Sequence, residues 1–277
     1  MKARRNISLL WLVLLLITSA QAFAQEMPRQ LSLVRSTPVS SPTVISQDRN
    51  GNVYVLDARQ NLVRIDSLGR PTGTFSPPTR GRIGSVEAWD PMKVLLFYEG
   101  RQELLLLDRF LRPISSTNLF DLNYSGTAKV VSPAGNEGYW LFDETNQTLS
   151  KLDLRLRQLT VETPLNLVLG NEQFDVRQLR EYQNNVYLLD YNSGVYVFDN
   201  LGNYKKKLPF KGVSYMGFQG NALYFVQDGQ LKLYDLYTQE ERSIVLPDQK
   251  SYLTVLANPT QLYLFAPKAM DVYKWEL

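Results

Sequence analysis

The chain holds no cysteine and no histidine in 277 residues. Without cysteine there is no disulfide, no thiolate nucleophile and no sulfur-ligated zinc site. Without histidine the commonest general base near neutral pH and the commonest metal ligand are both missing. Ser-His-Asp and Cys-His systems and haem held by His are excluded with them. A chain of this length buries enough apolar surface to fold without covalent staples, so the missing disulfides cost it little. No G-x-S-x-G elbow, S-x-x-K or G-x-G-x-x-G occurs either. A hydrolase built on this chain would have to run on carboxylates alone, as glycoside cleavage can.

Charge of one sign is also lacking. The 30 basic residues exceed the 27 acidic ones only through Lys2, Arg4 and Arg5. These precede an apolar run, Leu9 to Ile17, and the small-residue site Ala22-Phe23-Ala24. The order predicts a cleaved signal peptide over residues 1–24. The run is too short for a spanning helix, which needs about 20 apolar residues. No Cys follows it to carry a lipid. Removing the leader balances the charge, so nucleic acid is not an expected partner. No later run reaches membrane length. The expected product is an exported single domain, residues 25–277, in the periplasm or at the cell surface.

What is present is a repeat. Six times an apolar strand, a polar turn and a second apolar strand end on an acid, at Asp66, Asp108, Asp153, Asp199, Asp235 and Glu276. A period of about 40 residues made of short strands predicts a propeller blade. Blade one shows the pattern best. Thr43 to Gln47 is the innermost strand and Asp48-Arg49-Asn50-Gly51-Asn52 a tight turn. Val53 to Asp57, Asn61 to Asp66 and Thr72 to Ser76 complete it. The sequence therefore predicts an all-β, six-bladed propeller of four-stranded antiparallel blades. The last blade lacks its fourth strand, and Arg29 to Arg35 is a strand without a blade. The N-terminal strand is expected to close the last blade and remove the open edge. Lys205, Lys206 and Lys207 fit an exposed outer strand protected by charge better than a site for an acidic polymer.

Asp48-x-x-Gly51-Asn52-Val53-Tyr54-Val55-x-Asp57, followed by Val63-x-Ile65-Asp66-x-x-Gly69, resembles an NHL repeat. Blade four repeats it loosely from Asn185 to Gly202, and Tyr139-Trp140-x-x-Asp143 is similar to a YWTD-type repeat. The resemblance implies an exported six-bladed propeller of the NHL-like superfamily, of the sort found in Gram-negative bacteria. It assigns no activity, because that superfamily includes binding scaffolds, lactonases and lyases.

Second strands end in acids at Asp57, Glu99, Asp143 with Glu144, and Asp190. Gluconolactonase-like propellers hold a channel metal with carboxylates and amides, and these strand ends are similar in type. Gln227 and Ala266 break the set in blades five and six. The acids are therefore expected to cap turns, with no metal and no cofactor. Most tyrosines sit in strands and are expected to pack blades. Recognition is expected on the inter-blade loops, at Arg80, Arg82, Phe120, Tyr124 and Phe174, converging with Glu99, Arg101 and Glu144. Pro164 to Phe174 is the longest connection and carries surplus apolar residues. The reading is a non-catalytic binding or scaffold propeller for another envelope or extracellular protein. The alternatives are a carboxylate-metal lactonase or lyase in the channel, and a structural subunit of an envelope assembly.

Overall fold

A computed structural model describes residues 31–39, 44–78, 81–135, 138–170, 173–247 and 251–275. The leader and Arg80 lie outside them. The described residues form six four-stranded antiparallel sheets in a propeller. Blades one to five occupy residues 44–75, 85–118, 128–164, 176–208 and 217–245. Blade six takes Thr254–Ala257, Gln261–Ala266 and Ala269–Lys274, with Ser32–Pro38 as its outermost strand. Ser32 lies opposite Lys274 and Pro38 opposite Ala269, so the first described strand closes the ring, as the orphan strand predicts.

Period-two alternation explains how blades stack. In Val53–Leu56 all four residues are buried, because the strand has a neighbouring blade on each face. Tyr54 and Leu56 pack with Val86, Val94 and Leu96 of blade two. Val53 and Val55 pack the other way, with Leu256, Tyr263 and Phe265 of blade six. Burying such a side chain contributes about 1.5–3 kcal/mol, so each blade interface is an apolar core of its own. Tyr54, Tyr187, Tyr196, Tyr224, Tyr234, Tyr263 and Tyr273 are all buried in these interfaces.

The acids that end strands fold the turns. Asp66 Oδ1 accepts the backbone N–H of Leu68 and Arg70, at 2.9 and 2.8 Å. Asp199 repeats this with Leu201 and Asn203, both at 2.9 Å. Gly69 and Gly202 follow at φ +72° and +84°, a left-handed conformation that glycine adopts without strain.

Two segments refine the expectations. Within the connection from Pro164 to Phe174 runs a short α-helix, Leu165–Leu169. Five residues are too few to show a helical period. Leu165 is buried between blades three and four, and Leu167 points to solvent. The lysines of the outer strand Tyr204–Leu208 lie along the surface of their own blade and of the next one. Lys205 bonds Asn185, while Lys206 and Lys207 sit over the rings of Tyr234 and Tyr196.

Candidate functional site: the two mouths of the channel

The inner strands Ser85–Glu87, Ala128–Ala134 and Val176–Tyr182 each run along the channel axis. Their first residues border one cavity and their last residues another. The first cavity, about 430 Å³, takes Ser85, Lys129 and Arg177. The second, about 440 Å³, takes Ala134 and Tyr182, with Trp89 two residues past the end of Ser85–Glu87. Glu87 and Arg180 border both. Arg180 donates to the Glu87 carboxylate across the channel at 2.5 Å, with both side chains at least nine-tenths buried. Burial pushes the Glu87 carboxyl up, and Arg180 only partly offsets it. Burial also opposes the charge of Arg180, but Glu87, with the phenols of Tyr215 and Tyr224, holds it net above its ordinary value. Burial pushes the Tyr224 phenol up to about 12.

The first cavity opens on the face that bears the inter-blade loops. Lys129 donates to Glu99 at 3.0 Å and lies 3.7 Å from Glu144. Its ammonium is held above the usual lysine range, chiefly by that bond to Glu99. Asp175 pairs with Arg177 at 2.5 Å. Arg82 completes the basin and is exposed. Three carboxylates and three cations thus share the mouth, with Lys129 serving both Glu99 and Glu144.

Of the residues expected to converge, Arg82, Glu99 and Glu144 meet here. Arg101 stands aside, paired with Glu103 at 3.0 Å and stacked 4.1 Å over Tyr98. Phe120 is 58% exposed on the 3-10 turn Leu119–Leu122. That turn is tied to the Glu99–Arg101 turn by Leu119 N–H to Gln102 O, 2.8 Å. Tyr124 follows it but is buried, its hydroxyl donating to Asp143 at 3.3 Å. Phe174 is half-buried, edge-on to Phe142 and Tyr196 at 6.1 and 5.9 Å. These two aromatics brace their own loops instead of facing solvent. Leu167 lies at the same end of blade three as the Glu144 turn, because Leu165 N–H bonds Gln147 O.

The strand-end acids accept hydrogen bonds within their turns. Asp57 takes the N–H groups of Arg59 and Asn61, both at 2.8 Å. Asp143 takes Thr127 and Asn146 N–H, at 3.0 and 2.9 Å. Partial burial raises each carboxyl, yet these donors hold both net below the usual range. Asp190 takes the N–H and hydroxyl of Ser193. Among the described residues no three His, Cys, Asp or Glu side chains are grouped to hold a metal ion.

Sequence reasoning missed Glu87, Lys129, Asp175, Arg177 and Arg180. Their common signal is a charge inside, or at the lip of, an inner strand. Trp89 and Tyr139, beside the second mouth, carry no such signal.

No family model and no curated protein matches this chain. Solved structures do. A catalytically inactive virginiamycin B lyase from Staphylococcus aureus with quinupristin is similar at TM-score 0.60 and 8% identity, over 87% of this chain and 99% of that one. BamB from Moraxella catarrhalis is similar at 0.53 and 10%, over 89% and 98%. The Myceliophteria thermophila Cps50 (Swd1) β-propeller domain is similar at 0.62 and 9%, over 88% and 99%. At these identities the likeness supports the propeller fold and nothing finer.

Proposed function

We propose that this chain is an exported, non-catalytic binding propeller of NHL-like type that holds an envelope or extracellular protein on its loop face. The observation that carries the reading is the charge-matched basin of Arg82, Glu99, Lys129, Glu144, Asp175 and Arg177, together with apolar side chains exposed on the connections that follow outer strands, Phe120 and Leu167. A matched polar surface beside exposed aromatic and aliphatic groups suits recognition. Here Glu99, Glu144 and Asp175 each have a cation within 4 Å.

The lyase neighbour favours a second reading, an elimination or ring-opening enzyme in the channel. That protein is described as inactive with a histidine replaced by alanine. This chain contains no histidine, so chemistry of that kind cannot be carried over. No helix among the described residues is long and apolar enough to cross a membrane. Export rests on the leader.

Photo-crosslinkers at Phe120 and at Leu167 test the proposal in the native envelope. Both should trap the same polypeptide, while a crosslinker at Tyr237, in the turn before an outer strand, should not. Trapping from Tyr237 alone, or from none of the three, rejects the loop face as the binding surface.

A further inference from the structure

The second mouth carries a different chemistry. Its cavity of about 440 Å³ is bordered by Trp89, Tyr139 and Tyr182, with Leu95, Leu154 and Glu181. Trp89 of blade two meets Tyr182 of blade four across the opening, ring centroids 6.3 Å apart and nearly perpendicular. Tyr182 is fixed from behind by Phe218, stacked at 4.5 Å, and by its hydroxyl bond to Gly220 O at 2.7 Å. The aromatic walls are thus preorganised.

The charges around this cavity do not cancel. Glu87 and Arg180 neutralise each other at its floor. Asp90 and Lys93 add one charge of each sign at its rim. Glu181 is left over. One oxygen of its half-buried carboxylate accepts the Trp140 indole N–H at 2.6 Å and the Gly135 N–H at 3.2 Å. Among the described residues no Lys or Arg pairs with it. Neutral donors orient this carboxylate without neutralising it. A carboxylate that shares the lining of a ligand-sized cavity with three aromatic rings complements an organic cation.

The geometry points to a binding site for a small amine carried on a ring or other apolar body, with Glu181 facing the ammonium and Trp89 and Tyr182 against the body. The site is separate from the loop-face basin, and its ligand is a small molecule or the basic side chain of a peptide. Neither source depends on the protein partner proposed above.

The test uses three probes that share one body: phenethylammonium, phenethyl alcohol and phenylacetate. The readout is the indole N–H resonance in the mature chain. Trp89 and Trp140 report on the cavity, and Trp275, whose indole bonds Asn258 O at 2.8 Å in blade six, is the control. Phenethylammonium should shift the Trp89 and Trp140 signals saturably and leave Trp275 unmoved. The alcohol should need about tenfold more, the equivalent of roughly 1.4 kcal/mol. Glu181→Gln keeps an acceptor for Trp140 and should abolish the preference for the amine over the alcohol. Trp89→Ala should weaken both probes, and an unchanged Trp275 signal reports that each variant is folded. Blocked lysine amide binding more tightly than phenethylammonium identifies a peptide as the source, and the reverse order a free amine. Phenylacetate binding as well as the amine, or no shift with any probe, overturns the assignment.

Discussion

Arg180 of blade four bridges the channel to Glu87 of blade two, 93 residues earlier in the chain. The pair joins non-adjacent blades and floors both cavities. Removing one partner leaves the other as a buried charge. Glu87→Ala should therefore cost about 3–5 kcal/mol of unfolding free energy in urea titration. Replacing both residues with Met should cost far less, because the desolvation of two charges goes with them. Equal losses in the single and double variants would show that the site acts by packing alone.

Closure by Ser32–Pro38 makes a second prediction. Six residue pairs tie this strand to Ala269–Lys274, and without it blade six exposes an edge. Deleting residues 25–38 should lower the urea midpoint sharply, by several kcal/mol of a stability that is typically about 5–15. A truncated chain as stable as the mature protein would contradict it.

The turn-capping acids predict an acid limb to stability. Asp108 is held below the ordinary carboxylate range first by the Arg112 N–H, Asp199 by the Asn203 side chain and Asp235 by the Thr238 N–H. Their folded values lie below the unfolded value of about 3.9, so their contribution is complete above that pH. It is lost as pH falls through the lowered folded values. Unfolding midpoints should be level from about pH 7 to 5 and decline below about 4. Asp199→Asn should flatten part of that decline.

Calcium should not stabilise the protein. Asp57, Asp143 and Asp190 already accept turn donors, and Lys129 answers Glu99. Calorimetric titration should show no calcium binding tighter than about millimolar, the weak end of such sites. Micromolar binding that is lost in Asp57→Asn together with Asp143→Asn would revive the metal-dependent enzyme.

The ring was legible because each blade writes its strands and capping acids anew, so errors at one blade are corrected by the others. Even the closing strand could be assigned by counting. The site was less legible. Phe120 and Tyr124 look alike in a polar loop, yet one is exposed and the other bonds Asp143 from beneath. Lys129 meets Glu99 and Glu144 only because neighbouring blades bring their strand ends to one mouth. Glu87 and Arg180 are two ordinary charges until the ring sets them face to face. Pair geometry across blades depends on closure, which no local pattern encodes.

The most direct test of recognition on the loop face is the affinity of the polypeptide trapped from Phe120 and Leu167, measured on immobilised mature protein. Phe120→Ala and Arg82→Glu should each weaken it about tenfold or more, as truncated anchors do, while leaving the unfolding midpoint within about 0.5 kcal/mol. Tyr237→Ala and Leu201→Ala, in turns before outer strands, should leave it unchanged. Affinity that survives the first pair and falls in the second would place recognition on the opposite face and contradict the account.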